Sequence, residues 1–339
     1  MPTPKALNDS GRSLYDYFME WYEIFEEPKL APATKKWYMN SAKIIKKYFG
    51  KEPMTHISRA RYQRFLNDFG KTHAIKSASK VDSHIKMAVR SAVDDGLIPS
   101  NFTAHTSMSG HAGKSAEEKY IDGASMWRLI KRCEQTPDIH HISQVMILTA
   151  LFTGFRIAEV AGLQWQDLDQ INNTLSVTKT YDWTTGGFKP TKNAQSKRTI
   201  AVVQELVDNL NKLHASQTNI DNPNNLMFIG ENPKVPSSNG ANHVLRELLT
   251  ELDIHPTITF HGLRHTHASY LLANDVSIYE ISERLGHKDY TTTLKIYSHM
   301  QKEMKLRETK KGLQAFQSRT RFVHGFEKRL RNPLIPAFL

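Results

Sequence analysis

The chain has a single cysteine, Cys133, which excludes an internal disulfide and fits a reducing, cytoplasmic compartment. One thiol also leaves no cysteine set for a structural zinc. Histidines do not replace it: His261 and His265 stand four apart, but no HExxH glutamate accompanies them and no third ligand is evident. Long apolar runs are missing too. The most apolar stretch, 145–154, is far short of the roughly 20 residues that span a bilayer. Residues 1–10 are polar and contain prolines, without the apolar core of a secretion signal. There is no GxxxxGK[ST] phosphate loop and no repeat at a solenoid period. These absences argue against a membrane protein, a disulfide scaffold, a zinc enzyme and a P-loop ATPase.

What the chain does have is positive charge. Lys and Arg number 45 against 34 Asp and Glu, a net charge of +11 over 339 residues. Such an excess attracts polyanions, and with membrane disfavoured the expected partner is nucleic acid. The length allows two domains, each with its own core.

Residues 11–104 read as a helical bundle. Leu14, Tyr17, Phe18, Trp21 and Phe25 follow the three-and-four spacing of one buried helix face. Further helices are expected over 32–49, with Thr34 a possible cap, from about 58, and over 77–95. Their polar faces are basic: Lys35, Lys36, Lys43 and Lys47 on one, Lys80, Lys86 and Arg90 on another. These seven are candidate DNA contacts, although for any single helix a solvated lysine-rich surface explains them as well. The aromatic pair Trp37-Tyr38 is expected to face the core. Residues 105–118 are small, polar and aperiodic, a linker between domains. Residues 119–316 form the second domain, mostly α with one small antiparallel sheet, and a basic tail occupies 317–339. Helices are expected over 139–152, 157–163, 202–213, 242–252, 262–273, 277–285 and from 291. Strands are expected over 174–180, 187–191 and 198–203. Ser277 and Glu280 form a capping box at one of these helix starts.

Three stretches carry chemistry. In TGFRIAE an apolar helix stops at Gly154 and Arg156 opens the next helix, where a planar guanidinium can meet an anion. Pairing of Arg156 with Glu159 explains the same residues equally well. In HGLRHTH, His261 and Arg264 are three apart and share a helix face; a surface histidine beside an arginine is the plainer explanation. In the third, Gly286 ends a helix beside His287 and a threonine-capped helix then carries Tyr297, which in isolation reads as a packed tyrosine.

The order of these motifs, Arg, then HxxR, then LGH, then TTLxxY, resembles the tyrosine recombinase (phage integrase) family over about two hundred residues. The helical first region resembles that family's core-binding domain. The resemblance implies a mainly α fold, a core-binding bundle plus a mostly α catalytic domain with a small antiparallel sheet. It implies a nucleophile at Tyr297 and phosphate-binding or proton-transfer roles for Arg156, Lys192, His261, Arg264 and His287, with Glu159 holding the first arginine. Lys189 competes with Lys192 for the catalytic lysine. It further implies double-stranded DNA attachment sites as partner, a tetramer of the chain assembled on DNA from free monomers, and an excisionase or DNA-bending host factor as a further partner. Family members often carry an additional amino-terminal arm-binding domain. Only ten residues precede the first expected helix here, so either the two-domain plan or a chain lacking that domain is implied.

The chemistry accounts for these residue types. Attack on a phosphodiester builds negative charge on the non-bridging oxygens, which two guanidinium forks neutralise. A phenol, with a pKa near 10, needs a base or a cationic setting to attack at neutral pH. No step calls for a metal or other cofactor. The expected function is therefore site-specific recombination of a phage or other mobile element. The alternatives are a chromosome-dimer resolvase of the same family, a type IB topoisomerase, and a non-catalytic DNA-binding regulator.

Overall fold

A computed structural model describes residues 11–111, 113, 115, 117–191 and 194–287, and divides the chain into two compact units at residues 113 and 114. The expected helix from 291 and the basic tail lie outside the described residues.

The first unit packs four helices: α1 (Leu14–Trp21), α2 (Pro32–Phe49), α3 (Arg59–Thr72) and α4 (Ile75–Asp94). The Ser13 hydroxyl caps α1 by accepting the Asp16 N–H at 3.1 Å, and Ser58 caps α3 in the same way. Leu14, Tyr17, Phe18 and Trp21 form the buried stripe the spacing predicts. Phe25 does not join it. A π turn over Tyr22–Glu26 shifts the register, so Tyr22 is buried and Phe25 is left 45% exposed. Nor does Thr34 cap α2. Pro32, with no N–H to lose, occupies the first helical turn, and Ala31 is the extended residue before it. The stretch 105–111, read as the start of a linker, is tied to this unit: Gln63 accepts the Ser107 N–H and donates to its carbonyl, and Ile75 N–H donates to His111 O at 3.0 Å.

The second unit is built around α6 (Ile142–Thr153), an apolar helix buried almost all round. Its two buried threonines return their hydroxyls to carbonyls one turn back, Thr149 to Val145 and Thr153 to Thr149. Around it lie α5 (Gly123–Cys133), α7 (Ile157–Ala161), α8 (Gln204–Ser216), α9 (Ser238–Glu251) and α10 (Phe260–Ala273), and α11 (Ile278–Leu285) packs on α10. No element was expected where α5 stands; Asp122 caps it and Met126, Leu129, Ile130 and Cys133 are its buried stripe.

The expected strand over 174–180 is broken at Thr178. Its first half, β2 (Thr174–Val177), pairs antiparallel with β1 (Leu168–Asp169) and β5 (Arg198–Ala201); its second half, β3 (Lys179–Asp182), forms a separate hairpin with β4 (Gly187–Pro190). The described fold is thus mainly α with two small antiparallel sheets.

Candidate active site

Gly154 ends α6 in the left-handed region, φ 69°, and the chain turns so that Arg156 becomes the N-cap of α7. A side chain at Gly154 is excluded on two grounds, since a Cβ there would lie 2.5 Å from Leu285 Cδ2 and 2.8 Å from His267 Cδ2. Glu159, at the third position of α7, reaches back to accept the Arg156 N–H at 2.9 Å and the Arg156 Nη1 at 2.7 Å. Glu159 is 2% exposed and also binds Arg198 Nη2 at 3.0 Å. Burial pushes the Glu159 carboxyl up, but the two guanidinium groups outweigh it and hold the pKa below the usual carboxylate range. The carboxylate is therefore charged and anchors Arg156, whose side chain stays 37% exposed and can still meet an anion.

Arg198, on β5, is held on every side. It donates to Glu159, to Arg284 O at 2.7 Å and to Ser196 O at 2.9 Å, and its guanidinium lies 4.6 Å from the Phe155 ring centroid. Sequence reasoning gave it no role. Arg198 stands two residues before Ile200 and four before Val202, so it shares the buried face of the strand, and that alternation is the signal that points to it.

α10 supplies His261 and Arg264, and the two differ in setting. His261 is exposed at the first turn, whereas Arg264 is 3% exposed. Arg264 donates Nη1 to Gly154 O at 2.8 Å and Nη2 to Leu285 O at 2.7 Å. Those carbonyls belong to residues two before Arg156 and two before His287, so one guanidinium fastens three motifs that are distant in sequence. Burial, then the nearby Arg156, lowers the Arg264 pKa to about 9, which leaves it charged at neutral pH. His287 follows Gly286, which closes α11 in the left-handed region at φ 65°. Ser277 accepts the Glu280 N–H at the other end of that helix.

The field at this point is strongly positive. His287 is lowered to about 3, by desolvation first and then by Arg264, Arg156 and Arg198. His261 is lowered for the same kinds of reason, desolvation first, then Arg264 and Arg156, with Glu159 opposing. His265 packs edge-on against His261, ring centroids 4.9 Å apart, and is lowered to about 4, mainly by desolvation. At neutral pH all three imidazoles are therefore neutral, and His261 is able to accept a proton. The structure thus gathers Arg156, Glu159, His261, Arg264 and His287. Lys189, on β4, is 52% exposed and 3.7 Å from Asp182 Oδ2. Lys192 and Tyr297 lie outside the described residues.

Of the seven basic residues in the first unit, Lys36, Lys43, Lys47, Lys80 and Arg90 are exposed. Lys35 is ion-paired with Glu27 at 3.1 Å and Lys86 with Asp82 at 2.7 Å. Tyr38 is buried as expected, but Trp37 is not: it is 49% exposed, with Lys80 Nζ 3.9 Å from its ring centroid.

Residues 119–304 match the model of the phage integrase family. The chain belongs to that family. As a phage integrase family member it is a tyrosine-type, site-specific DNA recombinase, as the order of the motifs implied. The integrase of Staphylococcus phage L54a is 25% identical over 267 residues, covering 71% of this chain and 75% of that protein. Among solved structures, the Tn1549 transposon integrase in complex with transposon right-end DNA has a TM-score of 0.70 at 17% identity, covering 84% of this chain and 94% of that one. A lambda integrase tetramer bound to a Holliday junction has a TM-score of 0.66 at 18% identity, covering 84% and 80%. The fold expected from sequence, a helical bundle with a mostly helical catalytic unit, is that of these proteins. No described helix is long and apolar enough to cross a membrane.

Proposed function

We propose that this recombinase is an integrase that carries a bacteriophage or other mobile element into and out of a bacterial chromosome, with Tyr297 as nucleophile. The phenol oxygen of Tyr297 attacks the scissile phosphorus and passes its proton to His261. The bond to the 5′ oxygen breaks, that oxygen takes a proton from Lys192, and a 3′-phosphotyrosyl bond remains. Arg156 and Arg264 neutralise the charge that builds on the non-bridging oxygens, and His287 adds a hydrogen bond to the phosphate. Rejoining reverses the step, so the energy of the broken bond is kept and no ATP is consumed.

The observation that carries the reading is the hold of Arg264 on Gly154 O and Leu285 O, which brings Arg156, His261 and His287 into one cationic field. The mobile-element assignment rests on relatives named as a phage integrase and a transposon integrase. The partners are double-stranded attachment sites and further copies of the chain, monomeric when free and tetrameric on DNA, with an excisionase or DNA-bending host factor setting direction. The protein works in the cytoplasm, at the nucleoid.

Sequencing the flanks of the gene gives the first test: an adjacent attachment site repeated at the far end of an element is expected, and its absence beside a housekeeping locus favours a resolvase. A nicked duplex built from that site gives the second. Tyr297→Phe binds it and forms no covalent adduct; a full yield of adduct from this variant overturns the mechanism.

A further inference from the structure

Helix α10 starts without a cap of its own, since Thr259 makes no side-chain hydrogen bond to it. The acceptor comes from another helix. Asn242, on α9, accepts the Phe260 N–H on Oδ1 at 2.8 Å and donates Nδ2 to Ser238 O at 2.6 Å. Both ends of the amide are committed, one to each helix, so its orientation is determined. Phe260 is the first residue of α10 and His261 the second. Asn242 and His261 also line one cleft of about 580 Å³ between α9 and the start of α10.

We propose that Asn242 is a positioning residue for His261: it pins the first turn of α10 from outside and so sets where the imidazole stands at the scissile phosphate. The role rests on the assignment of His261 as the proton acceptor. A helix start with an orphan N–H frays, and in this helix the fraying turn is the one that carries His261. Displacing a catalytic group by about an ångström can cost up to roughly a hundredfold in rate. Among the described residues, the charged and titratable groups around His261 are Arg264 and His265 on α10, Arg156 and Glu159 from α7, and His243 and Arg246 from the cleft wall on α9. A carboxylate at position 242 keeps the acceptor for the Phe260 N–H, gives up the donor to Ser238 O within α9, and adds a negative charge to this set, which raises the His261 pKa.

Two substitutions in the full chain test this. Adduct formation is followed as a single turnover at saturating nicked duplex, made from the DNA flanking the gene, from pH 5 to pH 9. Asn242→Ala is expected to be about tenfold slower with unchanged DNA affinity. Asn242→Asp is expected to recover to within roughly threefold of wild type at high pH, with its acid limb about half a unit higher. Wild-type rates from Asn242→Ala, or an Asn242→Asp enzyme as slow as Asn242→Ala, overturn the proposal. Should Asn242→Ala not fold, the acid limb of Asn242→Asp decides alone, and an unshifted limb overturns it. A wild-type chain that forms no adduct defeats the functional assignment instead. Positioning is then read without catalysis, from the His261 titration by NMR in Asn242→Asp and the amide exchange of Phe260 in Asn242→Ala; unchanged values in both overturn it.

Discussion

Arg284 Nε donates to His267 Nε2 at 3.1 Å, and this contact settles which ring nitrogen carries the proton. His267 Nδ1 must then be the donor in its 2.8 Å contact with Leu151 O. The same arginine donates to Ala201 O and Phe152 O, so the half-buried Arg284 and the buried His267 together join α6, β5, α10 and α11. The arrangement works only with a neutral imidazole. Burial, followed by the Arg284 charge, lowers the His267 pKa to about 3.

A pH dependence of stability follows from that relation. His84 in the first unit is lowered to about 4, chiefly by burial. It stacks on Tyr38 and its Nδ1 lies 2.8 Å from Ser41 Oγ. In the unfolded chain both histidines titrate near 6.5, so below that pH the unfolded state takes up protons that the folded state refuses. Stability is complete above about pH 6.5 and declines as pH falls toward 4. The loss is on the order of 2 kcal/mol for each residue by pH 5. Urea denaturation at pH 8, 6.5 and 5 measures the loss, and NMR titration assigns it. Midpoints near 6.5 for both rings in the folded protein would falsify this.

Glu159 is the second place where one side chain supports several. Its carboxylate is shared by Arg156 and Arg198, and its removal leaves two neighbouring guanidinium groups without their counter-charge. Glu159→Gln is expected to lower stability by about 3–5 kcal/mol, the range for a buried pair that loses one partner. The same change should slow strand cleavage at unchanged DNA affinity, because Arg156 loses the anchor that orients it. Denaturation midpoints and adduct yield on the nicked duplex report the two effects separately. A Glu159→Gln protein of wild-type stability is incompatible with the shared-carboxylate arrangement.

The sequence and the structure agree where a local rule decides and part where a distant contact does. Ser277 caps its helix as its position predicts, and Gly154 and Gly286 end α6 and α11 because a left-handed residue is needed there. The pairing of Arg156 with Glu159, first met as a rival to catalysis, is present and leaves the guanidinium available. Arg198, Arg284 and His267 have partners 39, 83 and 116 residues away, and no periodicity reports such distances. Phe25 fails for a different reason. A single π turn changes the helical period, so a stripe that continues in sequence leaves the core in space.

The last prediction concerns the basic face of the first unit, where residues of one type are unequal. Each lysine that neutralises a phosphate steepens the dependence of DNA affinity on salt by about one unit in the logarithmic slope. Lys36, Lys43 and Lys47 are exposed and Lys80 is exposed over the Trp37 ring, so among the described residues their charges can meet DNA without first breaking an ion pair. Lys35 and Lys86 are already held by Glu27 and Asp82, and Asp82 is itself buried and accepts the Tyr62 hydroxyl at 2.8 Å. Alanine at those DNA-facing positions among the first four is therefore expected to lower the slope by roughly one unit each, and at Lys35 or Lys86 by clearly less. Fluorescence anisotropy with a random-sequence duplex, at several salt concentrations, measures this without knowledge of the target site. Equal changes at all six positions would mean that the ion pairs open on DNA, and no change at the four exposed positions would remove this face from the DNA interface.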